Sequence, residues 1–168
     1  RFLALRQAIR KWVPHVVHGQ GTEREAGLVA AFSGFPSVLT LHGNFREIEK
    51  VFLAKPLNYY WVAARLETLV LHHIRHAICI SRYVNELLSP FRCQKSVIPN
   101  PVGNHFLSTP RTPPPQIPRV VCLGTIDARK NTIFLLDACE LLWREGQKFT
   151  FHVYGNPGYD SGYSQRFF

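Results

Sequence analysis

Apolar positions along this chain switch between a helical period and short strand-like runs. Phe2, Leu5, Ile9 and Trp12 recur at helical spacing against Arg6, Arg10 and Lys11, which predicts an amphipathic helix over residues 1–12, ended by Pro14. His15-Val16-Val17-His18 reads as a strand closed by Gly19-Gln20-Gly21. Thr22 offers an N-cap, with Glu25 completing a capping box, for a helix that Gly34 and Pro36 stop near Phe32. Ser37 to Leu41 is a second strand, turned out by His42-Gly43-Asn44. Phe45 to His76 is mostly helical and must break or kink around Pro56. Ala77 to Ile80 is a third strand, Ser81 caps a helix reaching Leu88, and Ser96 to Ile98 is a fourth strand.

Five prolines, at positions 110, 113, 114, 115 and 118, then crowd the stretch 103–118. That density disfavours helix and central strand and predicts extended chain at a domain boundary. Past it, Arg119 to Leu123 is a strand, Thr132 to Arg144 a helix and Phe149 to Tyr154 a strand ending at Gly155-Asn156-Pro157-Gly158. Alternating apolar strands and helices indicate an α/β protein with parallel sheets. In such folds ligands gather at the C-terminal ends of strands, which singles out 19–21, 42–44, 81, 99–101, 124–131 and 155–156.

Composition narrows the class. With 46% hydrophobic and 18% charged residues the chain is globular rather than disordered. Lys and Arg number 20 against 11 Asp and Glu, a formal charge of +9. An excess of that kind favours an anionic partner without saying which. The basic residues are spread along the chain rather than gathered in a stripe, so nucleic acid is not the expected partner. Cys79, Cys93, Cys122 and Cys139 have no C-x-x-C spacing and read as free thiols of a reducing compartment. The longest apolar stretch, 59–74, is interrupted by Arg65 and Glu67, so no membrane span is expected. The first residue is Arg inside a helix in progress, and the chain reads as a piece of a longer protein.

Several motifs carry candidate chemistry. In Gly124-Thr125-Ile126-Asp127-Ala128-Arg129-Lys130-Asn131, two cations stand where a helix begins, although a helix N-terminus already carries partial positive charge. Gly124 lets a ligand approach the backbone, and the helix start offers N–H groups, so the segment suits a diphosphate gripped by Arg129 and Lys130. On spacing alone, two solvated surface cations beside Asp127 explain it at least as well. Gly19-Gln20-Gly21 lacks the third glycine of a dinucleotide fingerprint, because Arg24 stands there. His72 and His76 have the spacing of a metal pair, but the Glu of an H-E-x-x-H motif is His73, and no metal is expected. His42 follows an apolar strand and precedes Gly43, which puts an imidazole at the ligand-bearing end of the sheet. Tyr59, Tyr60 and Trp61 are expected mostly in the core.

Taken in order, Val16-Val17-His18-Gly19, Val38 to Gly43, Ala77 to Ser81, Val97 to Val102, Leu123 to Asn131 and Val153-Tyr154-Gly155 resemble the retaining glycosyltransferases of family four. The resemblance implies a GT-B fold: two Rossmann-like domains, both incomplete in this chain, with 1–102 the later part of the acceptor-side domain, 103–118 the linker, and 119–168 the start of the domain that binds the nucleotide-sugar. It implies transfer of a hexose-like unit from a nucleotide diphosphate sugar to a sugar, lipid or other hydroxyl acceptor, with retention. His42 would reach the donor sugar as the catalytic residue, Gly124, Arg129 and Lys130 would hold the diphosphate, and Gly155 and Asn156 would lie near the nucleotide. No metal or other cofactor is required, because the protein supplies the counter-charge. The remainder of the chain is an implied partner, a cytoplasmic location follows, and a peripheral contact with the inner membrane face stays open. Departures are Thr125 where the family often has Arg, and Pro99-Asn100-Pro101-Val102-Gly103 where Pro-Asn-Gly-Val-Asp is frequent. The family's glycine-rich first loop and E-x7-E carboxylates are not in this sequence. A non-catalytic domain binding anions or nucleic acid is the alternative.

Overall fold

Four short strands pair in parallel in the first of two units. The structure, a computed structural model, describes residues 1–22, 25–110, 113–158 and 161–168, which divide into units Arg1–Val102 and Gly103–Phe168. The first unit runs α1 (Phe2–Trp12), β1 (Val17–Gln20), α2 (Ala26–Phe32), β2 (Ser37–Leu41), α3 (Phe45–Val51), α4 (Tyr59–His73), β3 (His76–Cys79), α5 (Arg82–Leu87) and β4 (Gln94–Val97). Its sheet has the order β1-β2-β3-β4, all parallel, with Gly19 opposite Leu39, Leu39 opposite Ala77 and Leu41 opposite Cys79. Side chains alternate across the pleat, so Leu39, Leu41, Ala77 and Cys79 form one buried face with Val70, Leu71, Val84 and Leu88 from the helices. Gly19 lets α2 lie close against β1: a Cβ there would stand 2.8 Å from Ala30 Cβ. The opposite face presents His18 and Gln20 to solvent.

Caps explain where the helices start. Asn44, Asn58 and Ser81 side chains accept the N–H groups of Glu47, Trp61 and Val84, each satisfying a donor that the helix itself leaves free. Ser81 was expected in that role. Thr22 was expected to cap as well, in a box with Glu25, and does not: α2 begins only at Ala26, with no side-chain cap, and the Thr22 hydroxyl is turned inward to Glu67 instead. Arg24, the residue used against a dinucleotide fingerprint, lies outside the described residues.

Other expectations shift. Strand β1 starts two residues late and runs through Gln20, because pairing with β2 begins at Val17, whose N–H donates to Pro36 O at 2.8 Å. The long helical stretch divides around Pro56 as expected, but it stops at His73, and His76 belongs to β3. His72 and His76 are therefore not one helical turn apart, and the metal-pair spacing is not realised. Tyr59 is exposed and Tyr60 and Trp61 are half-buried, contrary to a core placement. Tyr60 stacks on Phe52, and Arg65 covers the Trp61 ring.

The second unit contains α6 (Asn104–Ser108), β5 (Arg119–Leu123), α7 (Thr132–Arg144), β6 (Thr150–Tyr154) and α8 (Ser161–Phe167). Strands β5 and β6 pair in parallel, residue for residue from Arg119–Thr150 to Leu123–Tyr154. Helix α6 stands inside the stretch expected to be extended: the prolines begin only at position 110, so Phe106 N–H and Thr109 N–H can close a turn on Gly103 O and His105 O. All four cysteines are free; Cys79, Cys93 and Cys139 are buried and Cys122 is half-buried. Burial pushes the Cys79 and Cys93 thiols up from the ordinary value. Among the described residues no helix is long and apolar enough to cross a membrane.

Candidate functional site

At the C-terminal edge of the first sheet, His42 follows the last residue of β2 and is exposed. Its Nε2 lies 2.9 Å from Gln20 Oε1. An amide oxygen only accepts, so Nε2 is the donor in this contact, and a neutral imidazole in that tautomer has its lone pair on Nδ1. Gln20 Nε2 is 3.2 Å from His18 Nε2, and that ring nitrogen is 2.8 Å from Thr40 Oγ1. His18, Gln20, Thr40 and His42 thus form a polar chain along one face of β1 and β2. The sequence pointed to His42 alone; the others become visible once the parallel register sets Gln20 opposite Thr40.

Beneath this edge lies a buried acid that the sequence reading passed over. Glu67, on α4, is fully buried. Its Oε2 accepts from Thr22 Oγ1 at 2.5 Å and from Phe45 N–H at 3.1 Å, and its Oε1 accepts from Arg46 N–H at 3.3 Å. Burial raises its pKa, and the hydrogen bonds from Thr22, Phe45 and Arg46 together with the Arg46 charge only partly oppose that. The carboxylate occupies the first turn of α3, so the positive end of that helix is already filled from within. A signal existed: Glu67 shares a helix face with buried Ala64, Val70 and Leu71, three or four residues away.

In the second unit, Gly124, Lys130, Gly155 and Asn156 come together where β5 and β6 end. Gly124 has φ 143°, a conformation that favours glycine. The Lys130 stem folds back over it, so a Cβ on Gly124 would lie 3.5 Å from Lys130 Cε. Gly124 N–H donates to Tyr154 O, and Ile126 N–H to Asn156 O, both at 3.0 Å. Asp127 is buried, and its Oδ1 accepts the Lys130 backbone N–H at 2.9 Å. The acid therefore stabilises the turn from inside and leaves Arg129 and Lys130 as its exposed charges. Neither cation makes an ion pair among the described residues. Asn131 takes the left-handed conformation just before α7. One N–H of the first turn, that of Ile133, is occupied by the Tyr163 hydroxyl at 2.9 Å, so the helix mouth is less bare than the sequence suggested.

Gly155 is held by geometry as well. A Cβ there would fall 1.8 Å from Gly124 O. Gly155→Ala is expected to force the strand ends apart and cost about 3 kcal/mol in this unit, read as a drop in the midpoint of thermal or urea unfolding; an unchanged midpoint would contradict the tight backbone approach.

Among the described residues no group of three or more His, Cys, Asp or Glu is placed to hold a metal ion. His42 lies in the first unit, and Gly124, Arg129, Lys130, Gly155 and Asn156 lie in the second.

Comparison with known proteins found a family model, Glycosyltransferase Family 4, matching residues 1–103, which covers His42 and stops before the Gly124–Lys130 turn. No curated protein matched the chain. A glycosyltransferase domain implies a sugar donor and an acceptor. The match spans more than half of the 168 residues and agrees with the parallel α/β sheet found there, so the chain belongs to Glycosyltransferase Family 4.

Proposed function

We propose that the protein transfers a hexose-like unit from a nucleotide diphosphate sugar to an acceptor hydroxyl with retention of configuration, and that the donor diphosphate binds at the turn between β5 and α7. The observation that carries this is Lys130 folded over Gly124, exposed beside Arg129, with the Asp127 carboxylate buried and turned to the backbone of the same turn. Breaking a sugar–phosphate bond builds negative charge on the diphosphate and positive character on the sugar. Fixed cations at the phosphates stabilise that separation, and they do so without a metal ion. In this scheme His42 serves the donor sugar and the transferring centre, and Gly155 and Asn156 border the nucleotide.

Leu123, Val121 and Tyr154 are exposed on a sheet of only two described strands, which supports further segments of the same protein covering them. Helix α1 places Trp12 in solvent beside Arg10 and Lys11 and has no acid, which supports a peripheral contact with an anionic membrane face on the cytoplasmic side.

Binding experiments separate this from a nucleic-acid domain. A nucleoside diphosphate is expected to bind and to compete with its sugar conjugate, while an oligonucleotide binds weakly. Tight oligonucleotide binding that falls steeply with salt, without nucleotide-sugar binding, would favour the nucleic-acid reading instead.

A further inference from the structure

A fully buried carboxylate is an expensive way to fill a core position, because an apolar side chain of similar volume avoids the desolvation. Glu67 has no ion pair among the described residues to offset that cost; the Arg46 guanidinium lies over the Phe91 ring. What Glu67 does hold is informative. Its hydrogen-bond donors come from two segments: Thr22, two residues past Gln20, and the Phe45 and Arg46 amides, three and four residues past His42. Both segments leave the sheet at the candidate site. Backbone pairing holds Gln20 opposite Thr40 and Leu41 opposite Cys79, but His42 lies beyond the last paired residue of β2. Downstream of it, the chain is next fixed where Asn44 caps α3 and where Glu67 takes the first amides of that helix.

We propose that Glu67 is the positioning residue of the His42 turn: by holding the segments that follow β1 and β2 on one carboxylate, it keeps His42 Nε2 on Gln20 and leaves Nδ1 as the free lone pair. This rests on the assignment of His42 to the donor-sugar end of the site. It adds a role for a residue that touches no substrate and acts only through another side chain. One carboxylate can serve both segments because it accepts through two oxygens. Glu67→Gln keeps one acceptor oxygen and can return a donor to the Thr22 hydroxyl, whereas Glu67→Leu keeps neither.

The test reads the His42 tautomer from imidazole nitrogen shifts in the complete gene product at about pH 8, where an ordinary imidazole is neutral. In the unaltered protein and in Glu67→Gln, His42 is expected to show a single tautomer with the proton on Nε2. Gln20→Leu, which removes the direct partner, is expected to give a mixture. Thr22→Val and Glu67→Leu are expected to move His42 toward the same mixture, and Thr22→Val to lower kcat several-fold with little change in the donor KM. If either variant, folded, keeps the unaltered His42 signature while Gln20→Leu loses it, the positioning role is overturned. Should Glu67→Leu fail to fold, Thr22→Val decides alone, since it leaves the backbone hydrogen bonds of Glu67 in place. Full transfer activity in His42→Ala would remove the assignment of His42 without affecting the spectroscopic answer on Glu67.

Discussion

Lys130→Ala in the complete gene product is expected to lower kcat for transfer by about 100- to 1,000-fold, the range found when one preorganised charge-stabilising donor is removed from an active site. The ammonium can follow charge as it builds on the leaving diphosphate, because its stem lies along Gly124 rather than in an internal ion pair. Lys130→Arg is expected to restore only part of the rate. A planar guanidinium does not replace a compact point charge whose stem runs beside a glycine with φ 143°. Donor KM is expected to change less than kcat, since the charge is largest in the transition state. Steady-state kinetics on the three proteins decides the matter, and equal rates in all of them would remove Lys130 from the chemistry.

The second large effect concerns stability. Glu67→Leu leaves the Thr22 hydroxyl and the Phe45 and Arg46 amides without their acceptor in a buried region, at an expected cost of about 3 kcal/mol or more. In a domain of this size that corresponds to a fall in Tm of about 10 °C or more. Glu67→Gln should lose much less. The two also separate by pH. Burial raises the Glu67 carboxyl above its ordinary 4.5, so between the unfolded and folded pKa values the folded state binds more protons. The associated stability is present below the unfolded value and is lost as pH rises through the folded one. Glu67→Gln has no such proton to lose. Its stability relative to the unaltered protein should therefore improve as pH climbs from about 4.5. Urea unfolding across that range tests this, and a Glu67→Gln variant that loses stability relative to the unaltered protein as pH rises would contradict it.

Much of the fold could be read from the chain where local chemistry and burial agree. Strand Ser37–Leu41, strand Arg119–Leu123 and helix Thr132–Arg144 were expected with the boundaries they have. Each is an apolar run bounded by residues that stop it, such as Pro36, Gly124 and Gly146. Boundaries set by distant partners were harder to see. The start of β1 depends on Pro36 O, and His76 left the helix to pair beside Val38. Thr22 has the local pattern of an N-cap, yet its hydroxyl goes to Glu67, 45 residues on. No local rule anticipates such a choice, because a buried carboxylate needing donors outweighs one helix cap.

The candidate site divides in the same way. Gly124, Lys130, Gly155 and Asn156 were named from strand ends and from family resemblance, and the structure brings these four together in one unit. Asp127, expected only beside two solvated cations, instead turns inward to support the turn. Gln20 and His18 went unnoticed because their relation to His42 exists only across paired strands.

The diphosphate assignment is tested most directly by titrating a nucleoside diphosphate into isotope-labelled protein and following the backbone amides. The largest shifts are expected at Gly124, Thr125 and residues 129–132, with a weaker response around Gly155 and Asn156, and the response at the turn should disappear in Lys130→Ala. Saturable binding that leaves those amides unmoved and perturbs another part of the chain would contradict the account.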